Sequence, residues 1–304
     1  MANPVVSSLP QYIADNKDQL AYKAATGAKT LKHIRKQSGI WGKGAINVIT
    51  PSITFNGSGC GFSDTSAATL TQRYITTGLM VVNATFCDDQ VINTYLEMKF
   101  NNGGHIIDGD FFEKFIGSYL EGVNAELDKL LWQGSTGGGD QFDGILTGIT
   151  ADGVAQSVSL GTALSSAITP AQMWADVQQM VADIPVQALT NDRGVIFMGE
   201  EYYNKLVIGL VNANLYHYPA EGVADGLIIP GTNIRAVGVS GLVGQNKMVA
   251  ADKDNIVFGT GFGEGDRKEE FDFFWSQDNQ EWRLVIRFTA GVNTIFPDQI
   301  VVGA

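Results

Sequence analysis

Between residues 111 and 132 apolar side chains return at every third or fourth position: Phe112, Phe115, Ile116, Tyr119, Leu120, Val123, Leu127, Leu130 and Leu131. That spacing lays one apolar stripe along a helix. At 1.5 Å per residue the stretch extends about 33 Å, about twice the length of an average globular helix. Asp108 or Asp110 can cap its start and Gly134 can end it. A rod of this size can act as a structural spine only if other elements cover its stripe.

The flanking sequence supplies both helices and strands. From Leu9 to Ile40 apolar residues are sparse (Ile13, Leu20, Tyr22, Leu31, Ile34), and the segment reads as one or two weakly amphipathic helices with too little apolar surface to fold alone. Ile46 to Phe55 is β-branched and interrupted by Pro51, as in an edge strand or an extended loop. Asn56 to Gly61 reads as a sharply turning segment, and Thr69 to Ala84 has the composition of strands. After the spine, Gly144 to Thr150 suits a short strand or a turn. Thr169-Pro170 gives an N-cap and a first-turn proline to a helix with Met173, Trp174, Val177, Met180 and Val181 on its buried face, ending before Pro185. Val195–Met198, Ile234–Val239, Lys247–Ala251 and Asn255–Phe258 read as strands and Glu200–Asn212 as a helix, together a compact α+β unit. Phe271–Ser276, a turn at 277–280, and Trp282, Leu284, Ile286 and Phe288 opposite Arg283 and Arg287 predict a hairpin.

With 304 residues, 44% of them apolar and 17% charged, the chain can bury a large core, which excludes global disorder. No apolar run reaches the roughly 18 to 20 residues of a membrane span, and residues 1–10 lack the basic and apolar regions of a secretory signal. Cys60 and Cys87 have no CxxC spacing and read as reduced thiols.

Formal charge is −12, but residues 1–43 carry Lys17, Lys23, Lys29, Lys32, Arg35, Lys36 and Lys43 against only Asp15 and Asp18. The remainder holds 13 basic and 30 acidic residues, so a basic arm precedes an acidic body. Such an arm suggests contact with an acidic surface, either nucleic acid or the acidic body of a neighbouring copy, the plain alternative being a solvated basic helix. It is also expected to be dispensable for folding the subunit and needed for assembly.

Chemistry-bearing motifs are scarce. His33, His105 and His217 stand in unrelated contexts with no triad arrangement. His105, Asp108 and Asp110 can be drawn as a metal cluster, but the two carboxylates stand where the following helix takes negative caps. Asp252-Lys-Asp254-Asn255 starts like a calcium loop and departs from it at Ile256. The glycine-rich runs at 57–61 and 259–265 complete neither a phosphate loop nor a dinucleotide fingerprint. No catalytic, cofactor-binding or metal residues are therefore assigned, and no cofactor is expected.

The order of basic arm, Pro- and Gly-interrupted loop, strands, long spine helix, inserted α+β unit and β return resembles a tailed-bacteriophage major capsid protein of the Hong Kong 97 type. The resemblance covers essentially the whole chain. It rests on 111–132 as spine, 169–258 as axial domain, and the ending Arg287-Phe-Thr-Ala-Gly-Val-Asn-Thr-Ile-Phe-Pro-Asp-Gln-Ile-Val-Val302. It implies an α+β capsid fold with an N-terminal arm (1–44), an E-loop (45–68), a peripheral domain (69–150 and 266–304) and an axial domain (151–265). It implies a non-enzymatic structural protein of the virion capsid, assembled in the host bacterial cytoplasm. Many copies would form pentamers and hexamers of an icosahedral head enclosing double-stranded DNA without tight sequence-specific binding. Portal, scaffold and decoration proteins are the implied partners, and no membrane is. Some members crosslink through a lysine and an asparagine, but no matching lysine is placed in this E-loop. Two alternatives remain: an encapsulin-like cargo shell of the same fold, and a metal-dependent hydrolase using His105, Asp108 and Asp110.

Overall fold

The computed structural model describes residues 4–55, 67–101, 108–184, 193–215, 226–262 and 270–304. In chain order the elements are α1 (Pro4–Thr26), β1 (Arg35–Gln37), β2 (Lys43–Ser52), β3 (Ala67–Thr76), β4 (Gly78–Phe86), α2 (Asp88–Asn101) and the spine, α3 (Asp108–Gln133). Then come α4 (Ile145–Asp152), β5 (Gln156–Val158), α5 (Pro170–Asp183), β6 (Gly194–Gly199), α6 (Glu200–Asn212), β7 (Leu227–Ile228), β8 (Arg235–Val239) and β9 (Met248–Asp252). The chain ends with β10 (Ile256–Gly259), β11 (Glu270–Ser276), β12 (Glu281–Thr294) and β13 (Val301–Gly303).

The spine forms as its periodicity requires, burying Phe112, Ile116, Leu120, Val123, Leu127 and Leu131. Gly134 follows its last residue. A Cβ there would come within 2.6 Å of the Leu130 carbonyl and 2.7 Å of the Phe142 carbonyl, so the return of the chain needs glycine. The stripe packs against a sheet in which β12 is central, flanked by β11 and β4 along its first half and by β10 along its second, with β1 outside β10. Trp282, Leu284, Ile286 and Phe288 of β12 face the core, and Arg283 and Arg287 face away, as their alternation predicts.

A second sheet has the order β5-β13-β9-β6-β8-β7 and is covered by α5 and α6. Thr169 caps α5 through a complete capping box with Gln172. Its core (Met173, Val177, Met180, Met198, Leu206, Met248) is distinct from the larger one around the spine.

Four expectations need correction. The arm is not short of core residues: Leu9, Ile13, Leu20, Ala21, Ala24, Ala25, Ala28, Leu31 and Ile34 are all buried in the main core, and α1 lies on α3, β11 and β12 of its own subunit. Four of these nine residues are alanine, which is helix-favouring and small enough to let two helices approach closely, and which does not register as a core signal beside leucine or isoleucine. The segment 144–150 is the helix α4, not a strand or turn. Its Ile145, Leu146 and Ile149 fall on one helical face, and Gly153 closes it at φ 65°. The strand at 256–259, expected in the axial unit, pairs with β12 and β1 in the spine-side sheet. Conversely Val301–Gly303, expected in the peripheral unit, pairs with β9 and β5 in the second sheet. Both strands are short apolar runs, and such runs carry no information about which sheet receives them. Helix α2 has no counterpart among the sequence expectations, although Val91, Tyr95 and Met98 carry its spacing.

Candidate assembly surfaces

Strands β2 and β3 form a two-stranded antiparallel hairpin that belongs to neither larger sheet. Opposite Cα partners are Ile46 with Arg73, Val48 with Thr71 and Gly44 with Ile75 on one face, and Asn47 with Gln72 and Ile49 with Leu70 on the other. The first face has a core at its root: Ile46, Val48 and Ile75 are buried with Ile40 and Val257. The second face is bare. Ile49 is 62% exposed and Leu70 72%, and past the end of β2 Phe55 is 95% exposed. A ladder that leaves an apolar pair such as Ile49 and Leu70 open to water is the expected form of a surface that waits for a partner.

The root holds the hairpin firmly. Arg73 donates to Asp152 at 2.6 Å, Asn293 donates its side-chain amide to the Tyr74 carbonyl at 2.6 Å, and the Lys43 ammonium stands 4.2 Å from the Tyr74 ring centre. Thr77 donates its backbone N–H to the Gly42 carbonyl at 2.7 Å and accepts from the Gly42 N–H at 2.9 Å. The hairpin extends past the expected E-loop boundary at 68 to Thr76, and the 56–61 glycine-rich turn lies outside the described residues.

Further apolar side chains stand in water elsewhere: Leu79 and Val81 on the outer face of β4, Leu96 and Phe100 on α2, and Ile208 and Val211 on α6. Opposite Val81, Arg287 is spent on Glu270 (2.9 Å); opposite Thr85, Arg283 is spent on Glu281 (2.9 Å), and its guanidinium pulls the Glu281 carboxyl below its ordinary range.

The elements are locked together at Asp128, which is 1% exposed near the end of the spine. Its carboxylate accepts from the Thr30 N–H (2.9 Å), the Ser240 hydroxyl (2.7 Å) and the Gly241 N–H (2.9 Å). One turn on, the Trp132 indole donates to the Thr30 hydroxyl at 2.8 Å. Arm, spine and the turn after β8 therefore meet on one buried charge. No sequence motif marks it; its only trace is an aspartate directly after a leucine of the apolar stripe (Leu127-Asp-Lys-Leu-Leu131).

The charge of the arm is partly met at home. Lys17 pairs with Asp272 at 2.8 Å and Lys29 with Glu200 at 3.1 Å, both in the same subunit. These pairs are a third or more exposed and each contributes little on its own.

The residues drawn as a metal cluster are not brought together as a described site. Asp108 and Asp110 open α3, and His105 and His217 lie outside the described residues. Among the described residues no group of three or more His, Cys, Asp or Glu side chains is placed to hold a metal, and no helix is long and apolar enough to cross a membrane. Asp252 accepts from the Asp254 N–H at 2.9 Å and Asn255 bonds Phe296, so that segment is a turn. In the second sheet's core Asp176, 2% exposed, has its carboxyl pushed up by burial, opposed by the backbone N–H groups of Thr162 and Gly161.

No family model and no curated protein sequence matches the chain. Solved structures do. The capsid of Myoviridae phage XM1 aligns with a TM-score of 0.56 at 12% identity, over 89% of this chain and 88% of that one. The procapsid of satellite phage P4 aligns at 0.56 and 12%, over 94% and 89%. This chain has the tailed-phage capsid fold. A virus-like particle from Pyrococcus furiosus also aligns, with a TM-score of 0.50 at 12% identity over 96% and 99% of the two chains.

Proposed function

We propose that this protein is the major capsid subunit of a tailed phage, a structural protein that closes into an icosahedral shell of pentamers and hexamers around double-stranded DNA. The observation that carries the proposal is the β2–β3 hairpin: a well-rooted element whose outer face, Ile49 with Leu70, is left exposed by the described residues of the subunit. In a shell the neighbouring copy covers it. The whole-chain likeness to phage capsids supports the same reading. Residues 1–44, 45–68, 69–150 with 266–304, and 151–265 then serve as arm, E-loop, peripheral and axial domains, adjusted by the strand exchanges at 256–259 and 301–303. Location in the virion, assembly in the host cytoplasm, a non-enzymatic role and interaction with portal, scaffold and decoration proteins follow from this reading.

Electron microscopy of the expressed protein, alone and with neighbouring virion genes, tests it. Closed shells, or rings of five and six subunits, are the expected result, and a strict monomer under all these conditions overturns it. Nucleic-acid content of particles recovered from infected cells separates a DNA-filled head from a cargo shell.

A further inference from the structure

The acidic body is not uniformly acidic. A cleft of about 260 Å³ is lined by Lys32 and His33 of the arm, Arg193 at the start of β6, Asn233 and Arg235 at the start of β8, and Lys253 in the β9–β10 turn. Four chain segments thus deliver cations to one place, and only two of these side chains come from the arm in which the sequence concentrates positive charge. The backbone fixes them to one another: the Lys253 N–H donates to the Arg193 carbonyl at 3.1 Å, the Lys253 carbonyl accepts from the Arg35 N–H at 3.2 Å, and Arg235 is the Cα partner of Val195 across β6 and β8. Arg193 is shared with Asp254 at 2.7 Å, whereas Lys32 and Lys253 make no ion pair among the described residues. Arg193 and Asp254 cancel one another, so Lys32 and Lys253 alone bring the cleft two positive charges that no described ion pair answers.

We propose that this cleft binds a phosphate group. A single carboxylate offers one charge and two oxygens, too little to answer cations arriving from several sides. A phosphate offers more oxygens, and lysine and arginine bind it as point charge and fork respectively. The group can belong to enclosed nucleic acid or to free phosphate, and the first source rests on the shell reading above. The probes are inorganic phosphate, followed by calorimetry, and a fluorescent single-stranded 12-mer, followed by anisotropy from 50 to 200 mM salt, both with intact full-length protein. Lys32→Glu/Lys253→Glu, at two exposed positions, is expected to weaken phosphate binding at least tenfold, and Lys32→Arg/Lys253→Arg to retain it. If nucleic acid is the source, the log–log salt slope falls by about 1.4 in the double Glu variant, at roughly 0.7 per lost contact. An unchanged slope with lost phosphate binding assigns the cleft to free phosphate. Wild-type protein that binds no phosphate overturns the proposal, as does a double Glu variant that binds it unchanged. Loss of particles in that variant with phosphate binding intact overturns it in favour of a neighbour's carboxylate. Particle formation by the wild type is read separately, so failure of the shell reading is distinguishable from failure of the cleft.

Discussion

Helix α1 and the β2–β3 hairpin both look, as sequence, like segments that reach out of a subunit, yet the structure treats them oppositely. The helix buries its apolar side against the spine and the β11–β12 pair, and its anchor beyond, Thr30, closes on Asp128. The hairpin buries only the face next to its root and leaves the other bare. The difference separates two kinds of apolar surface: one used to fold the subunit, the other left for assembly. Exposure, not apolar content, tells them apart.

The largest effect that tests this contrast is removal of residues 1–40. Because those residues include Leu9, Ile13 and Leu31, all 2% exposed or less, the truncated subunit should show no cooperative thermal transition. A folded truncation with native circular dichroism would return α1 to the class of detachable arms. Asp128→Ala comes next. It strands the Thr30 and Gly241 N–H groups and the Ser240 hydroxyl at roughly 1–3 kcal/mol per unpaired donor, for a loss of about 4 kcal/mol in denaturant unfolding. A loss below about 1 kcal/mol would mean that arm, spine and axial unit are not coupled there.

The hairpin should respond in the other sense. Ile49→Ser/Leu70→Ser changes exposed side chains, so subunit stability should stay within about 0.5 kcal/mol while particle yield collapses. Normal particles from that variant would remove the hairpin's outer face from the assembly surface.

The smallest effect concerns the second core. Burial raises the Asp176 carboxyl above its unfolded range, so its contribution to stability is fully present at low pH and is lost as pH rises through the raised value. Relative to Asp176→Asn, wild-type stability should therefore fall as pH climbs past the ordinary aspartate range near about 4. A parallel pH dependence in the two proteins would show that Asp176 does not titrate in this way.

What was legible in advance follows the strength of local patterns. The spine, the capped helix at 170–183, the helix at 200–212 and the β11–β12 hairpin each carry a period or a cap that survives in any context, and each formed within a few residues of its expected bounds. Sheet membership of 256–259 and 301–303 is a tertiary choice that a short apolar run does not encode. Helix α4 was obscured by β-branched Ile145, Thr147, Ile149 and Thr150, whose strand preference packing on the 134–144 turn overrides. On the functional side, the Pro51-interrupted segment was readable as an edge element, but the bare Ile49–Leu70 face was not, because it depends on the register with β3. Asp128 and the cationic cleft were invisible for a related reason: each is assembled from residues far apart in the chain.

A single-particle reconstruction of assembled material measures the contrast directly. The expected map places the outer face of residues 43–52 and 67–76, with Ile49 and Leu70, against a neighbouring copy, and keeps residues 4–34 on their own spine. A map in which that face stays open to solvent, or in which α1 has crossed to another subunit, would contradict the division between folding surface and assembly surface.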